Sequence, residues 1–225
     1  VTTVSDLEAR VATTYEGLDL PAWPDPHAGR DSAGDEEYSR VTDPARYRIV
    51  HARARAWVAA LEELLGVRVE TVGPPPSVSS GHGAFDRGVR LVPRAPDALP
   101  LLLLERDVFT LPDQATLAVL DVAVARAVVV VATEPDCGCD ACDSGSRDLL
   151  EAIDAAIRQV VAGPFVVLRG ETWQAQWHPG GWRAGSDGRG HDWDALMEAC
   201  RSLAAGEPVS LPEDAEAFVG RPWVG

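Results

Sequence analysis

The chain has 225 residues, 46% of them hydrophobic, and a formal net charge of −15. That length and apolar content suit one globular domain and exclude a disordered acidic tail. The negative field repels phosphate backbones, so nucleic acid binding is not expected; the charge reads first as an ordinary solubility device, with attraction of a basic protein partner as the alternative.

Ser5-Asp6-Leu7-Glu8 has the form of a capping box that opens a first helix, with Leu7, Val11, Tyr15 and Leu18 along one face. A loop rich in proline, glycine and acid follows over 21–41, and loops of that length are commonly functional. Asp43 is placed to cap a second helix, with Pro44 at its first position and Gly66 at its end. Tyr47, Val50, Ala54, Trp57, Val58, Leu61 and Leu65 form its apolar stripe, and Arg46, Arg48, Arg53 and Arg55 read as a solvated face. Residues 67–72 alternate as a strand, 73–88 form a loop containing Ser80-Gly81-His82-Gly83, and 89–92 and 99–109 read as strands. The apolar stretch 116–132 is too long for one strand, so two strands with a turn near Ala125-Arg126 are predicted. Asp121 and Arg126 would each cost about 2.5–3.5 kcal/mol at a bilayer centre, so this stretch reads as buried core and no membrane span is expected.

Beyond a cysteine-rich turn, Ser144 or Ser146 caps a helix whose Leu149, Leu150, Ile153, Ile157, Val160 and Val161 face inward. Residues 165–168 form a short strand, and 172–177 with 181–184 form a hairpin. A last helix starts near Asp192 and carries Trp193, Leu196, Met197, Cys200 and Leu203 on one stripe. The proline-punctuated tail 207–225 is expected to hold one short helical turn. Helix–helix, strand–strand and strand–helix neighbours alternate, which predicts a single α+β domain over 1–225. Its sheet is mostly antiparallel and packs with three to four amphipathic helices.

Three of the four cysteines fall in one acidic run, Pro135-Asp136-Cys137-Gly138-Cys139-Asp140-Ala141-Cys142-Asp143-Ser144-Gly145. Cys139 and Cys142 have the C-x-x-C spacing that turns two sulfurs toward one ion, and Cys137 is a third ligand from the same turn. Tetrahedral zinc wants a fourth ligand, from Asp136, Asp140 or Asp143 nearby, or from His178 or His191. The interleaved aspartates disfavour a thiolate, whereas the following helix N-terminus favours one. Three readings stay open: reduced thiols packed in a strand-to-helix turn, a structural zinc site, and a redox or catalytic thiol.

Four of the seven tryptophans lie between 173 and 193. On a strand, Trp173, Ala175 and Trp177 share one face and Gln174 and Gln176 the other, with Trp182 opposite on the returning strand. Trp173, Trp177, Trp182 and His178 are therefore candidates to bind a sugar or heterocycle; the alternative is that the rings cover a sheet against a helix. Glu105, Asp107, Asp121 and Glu134 are candidate buried carboxylates. Nucleotide-binding glycine loops, a nucleophile elbow and a zincin helix are all missing.

The cysteine run resembles an actinobacterial family of unknown function, as do Trp23-Pro24-Asp25-Pro26-His27 and Asp35-Glu36-Glu37-Tyr38-Ser39-Arg40-Val41-Thr42-Asp43-Pro44. The resemblance spans most of the chain and implies a bacterial cytosolic protein, with no activity and no named site. A polar opening segment also leads to the expectation of a cytoplasmic protein. The expected function is a binding domain whose Cys137/Cys139/Cys142 loop is structural or holds zinc. The alternatives are an enzyme that joins the loop to His178 or His191, and an acidic immunity-like inhibitor of a basic protein.

Overall fold

The computed structural model describes residues 1–29, 32–74, 84–110, 115–188 and 190–224. Ser80-Gly81-His82-Gly83 lies outside them. Helices α1 (Val4–Glu16) and α2 (Ile49–Leu65) precede a five-stranded antiparallel sheet: β1 (Arg68–Val72), β2 (Arg87–Val92), β3 (Leu101–Thr110), β4 (Ala115–Val124) and β5 (Val130–Glu134), in that order across the sheet. Helix α3 (Ser146–Ala162) leads to a second antiparallel sheet of β6 (Phe165–Arg169), β7 (Trp173–His178), β8 (Gly181–Ser186) and β9 (Glu216–Gly220), ordered β8-β7-β6-β9. Helix α4 (Trp193–Ala205) lies between β8 and β9 in the chain. The fold is α+β, as predicted.

Strand periodicity divides the apolar residues between cores. Leu101 and Leu103 join the main core with α1, α2 and α3, while Leu102 and Leu104 join Phe85 and Ala123 on the opposite face. β6 is likewise sandwiched: Phe165 and Val167 face the main core, and Val166 and Leu168 face α4. β4 is buried on both faces, so its sequence runs apolar without alternation. Its one charge, Asp121, is met by Arg106 at 3.1 Å and by the Thr133 hydroxyl at 2.7 Å. The turn at Ala125, with φ 59°, separates β4 from β5 where two strands were expected.

β5 is the edge of the first sheet, and the second sheet closes it without adding a strand. Gln174 and Gln176 on β7 donate their amide N–H groups to the carbonyls of Val130 (2.7 Å) and Val131 (3.2 Å). Side-chain amides thus cover groups that an open edge would leave for another chain.

Several local expectations are corrected. Thr3, not Ser5, caps α1, through a reciprocal Thr3–Asp6 box; the helix stops at Glu16, so Leu18 is exposed. Asp43 is left-handed and makes no side-chain cap, because a short 3-10 turn (Pro44–Arg48) precedes α2. Gly145, rather than a serine, holds the N-cap of α3. The tail forms β9 in place of a helical turn, pairing Phe165↔Gly220 through Arg169↔Glu216. The arginines of the 3-10 turn and α2 are not a uniformly solvated face: Arg46 in the turn pairs with Asp143, and on α2 Arg53 pairs with Asp154 and Arg55 with Glu105. Among the candidate carboxylates, Glu105 and Asp121 are buried, while Asp107 and Glu134 are partly exposed.

Asp154 on α3 ties the two core helices together. Its carboxylate accepts from the fully buried Trp57 indole at 2.7 Å and from Arg53 at 2.8 and 2.5 Å. Asp154→Ala strands an indole N–H and a largely buried guanidinium, and should cost about 3 kcal/mol in urea unfolding. Asp154→Asn keeps an acceptor for the indole and should lose less.

Candidate functional site

The cysteine turn leaves β5 and doubles back into α3. Gly138 passes over β4, where a Cβ would lie 2.3 Å from Leu117 Cδ2 and would force that side chain to move. A 3-10 turn over Asp140–Cys142 follows, closed by the Cys142 N–H on the Cys139 carbonyl at 3.0 Å. This winding brings the Sγ atoms of Cys137, Cys139 and Cys142 within 4.8 Å of one another, with Cys137 and Cys139 at 3.2 Å. All three are free thiols; Cys139 is buried and the other two are exposed.

Residues of the first long loop and of the 3-10 turn after it hold this turn from outside. Ser146 N–H and Oγ both donate to the Trp23 carbonyl at 3.0 Å, and Ser146 Oγ accepts from Trp23 N–H at 3.1 Å. The buried Asp143 carboxylate accepts from the Trp23 indole (3.0 and 3.1 Å), from Gly145 N–H (2.9 Å) and from Arg46. Arg46 also stacks over the Trp23 ring, 4.6 Å from its centre. The His27 ring bridges the Asp143 carbonyl and the Glu37 carboxylate, each at 3.2 Å. Asp140 accepts from Arg40 (2.6 Å), Thr42 N–H (2.6 Å) and Thr42 hydroxyl (2.7 Å). Burial pushes the Asp140 carboxyl up, but these bonds outweigh it and hold the group below the usual range.

The aspartates therefore do not govern the thiols, contrary to expectation: Asp140 and Asp143 are turned into cationic and N–H partners. The thiols act mainly on one another. Burial raises Cys139, yet hydrogen bonds from Cys137, Cys142 and nearby backbone N–H groups leave it below the ordinary thiol value. Cys142, held as a donor to Cys139 and Cys137, is pushed up to about 12. Among the described residues, the converging donors are these three sulfurs, with no histidine or carboxylate beside them. Cys200 lies in the α4 core, where burial pushes it up to about 12.

A sequence profile for a family of unknown function, DUF6226, matches residues 10–225. The chain belongs to this family. No curated protein and no solved structure matches it.

In this DUF6226 chain the tryptophan candidates divide. Trp173 and Trp177 pack against α4, and Trp173 donates its indole N–H to Asp214 at 3.0 Å. His191 lies beside the rings of Trp173 (5.4 Å) and Trp193 (5.2 Å). These rings cover a sheet face. Trp182, paired across the hairpin with Trp177, is 55% exposed. It opens on a cavity of about 280 Å³ together with His178, whose burial draws its pKa down. That cavity shares Glu134, Gln176 and Arg183 with a neighbour of about 320 Å³ that reaches Asp136. Sequence reasoning missed this groove, although the shared face of Gln174 and Gln176 was its visible trace.

Gly145 has φ +89°, and a Cβ there would lie 2.6 Å from Asp25 N. Gly145→Ala should cost about 2–4 kcal/mol in chemical unfolding, because strain and a backbone clash combine. Burial pushes the Glu134 carboxyl up to about 7; the Asp136 charge adds to this and Arg183 opposes it. The folded value lies above the unfolded one, about 4.3, so ionising Glu134 costs stability from about pH 4 upward, fully above about pH 7. Glu134→Gln should therefore gain melting temperature over the natural protein from pH 5 to 8 and match it at pH 4.

Proposed function

We propose that this chain is a bacterial cytosolic binding domain whose Cys137/Cys139/Cys142 turn holds one zinc ion. The observation that carries the reading is the approach of three sulfurs within 4.8 Å on a six-residue turn. Tetrahedral zinc with Zn–S near 2.3 Å places its sulfurs about 3.8 Å apart, so small side-chain shifts suffice. Both ends of the turn are anchored, through Gly138 on β4 and Asp143 on Trp23 and Arg46. Such anchoring would lower the ordering cost of metal capture.

Asp140 and Asp143 already serve other partners, and among the described residues neither Asp136 nor a histidine joins the three converging sulfurs, so we assign the fourth position to water or to a donor from a partner. The exposure of Cys137 and Cys142 agrees with an open side. The net charge of −15 favours a basic protein as that partner over nucleic acid. Among the described residues, no helix is long and apolar enough to cross a membrane.

Elemental analysis of protein produced with zinc and purified without chelator tests the reading. About one zinc per chain is expected, falling below about a tenth in Cys137→Ser and Cys142→Ser, with Cys200→Ser unchanged. Natural protein that carries less than about a tenth of an equivalent, and takes up none on zinc titration with a colorimetric competitor, sinks the assignment.

A further inference from the structure

The groove between β5 and the β7–β8 hairpin has no part in the cysteine turn's chemistry, and its own chemistry points to a ligand. Gln176 is 8% exposed and donates Nε2–H to the Val131 carbonyl, which fixes the orientation of its amide, since a carbonyl accepts only from N–H. Its Oε1 is left buried, without a donor. A buried acceptor without a donor is costly, and such groups are uncommon outside sites that a ligand or water completes. Gln176 lines both cavities, so its amide forms part of the wall of the groove they share.

The other walls narrow the ligand class. Glu134 is partly buried, and its carboxylate makes no hydrogen bond with the described residues. Arg183 stands opposite Gln176 across the hairpin and supplies donors on the same face. Trp182 offers an exposed aromatic surface at the mouth, beside His178. The ligand must bring hydroxyl or amide hydrogens to Gln176, accept from Arg183, and present an apolar flank to an indole. Phosphates are disfavoured, because Asp136 lines the same groove in a chain of charge −15. A protein strand is disfavoured too, since Gln174 and Gln176 already occupy the β5 carbonyls it would pair with. Cavities of about 320 and 280 Å³ sit at the small end of ligand sites.

We propose that this groove binds a neutral, hydroxyl-rich small molecule, a mono- or disaccharide, seated on Gln176, Glu134 and Arg183 and flanked by Trp182. The elevated Glu134 pKa fits a carboxyl that keeps a substantial protonated fraction near neutrality and in that form both donates and accepts. The proposal stands independently of zinc.

Isothermal titration calorimetry of the full chain decides it, using glucose, galactose, mannose, N-acetylglucosamine, maltose and cellobiose. Glucuronate and glucose 6-phosphate form the charged arm. At least one neutral sugar should bind saturably at or below about 1 mM. Trp182→Ala, an exposed position, should weaken it at least tenfold while keeping the natural melting temperature. Gln176→Leu, which removes the acceptor, should also weaken it, and its melting curve shows whether it has folded. Three outcomes overturn the proposal: no saturable heat from any neutral sugar, an affinity unchanged in Trp182→Ala, or tighter binding of the charged sugars.

Discussion

The buried carboxylate of Asp143 is the constraint on which the cysteine turn depends. It gathers an indole N–H, a guanidinium and a backbone N–H from three parts of the chain. A buried charge of this kind is tolerable only when fully partnered, and its partners here come from loops and from a short 3-10 turn. The first long loop is thereby fixed to the entry of α3. That linkage makes loop residues 21–29 and 32–41 a structural element, the outer wall of the cysteine turn.

A second constraint joins the sheets. The first sheet ends at β5, and the hairpin of the second turns its two glutamine amides onto that edge. Side-chain closure of an edge leaves gaps that a paired strand would have filled. The polar groove is such a gap, with Glu134, Gln176 and Arg183 around it. Tryptophan density proved a poor guide to it. Most of those rings cover α4, and only Trp182 reaches the mouth.

The two surface features differ in how they meet water. The cysteine turn is rigidly backed and has two thiols exposed, which suits a compact ion with an open coordination position. The groove is lined by amides, a reluctantly ionised carboxyl and the opposed charges of Arg183 and Asp136, which suits a hydrogen-bonding solute without net charge. Neither depends on the chain's global charge, which bears on partner choice instead.

Local patterns in the sequence determined much of the fold. The stripe from Tyr47 to Leu61, the left-handed Gly66, the break near Ala125, the 173–186 hairpin and the Asp192 cap all follow from periodicity and turn chemistry within a few residues. The clustering of three thiols was equally legible, because it is set by a spacing of six residues. What the sequence could not determine spans a hundred residues or more. Trp23 meets Asp143, Arg40 meets Asp140 and Arg53 meets Asp154 only because the packing of helices and sheets brings those segments together. The tail 207–225 carried proline signals of a loop, yet pairing with β6 made part of it a strand, since β-structure is decided by the neighbour available. The fate of each aspartate in the cysteine run was likewise a tertiary matter: composition sets how many charges there are, and packing decides which of them face a thiol.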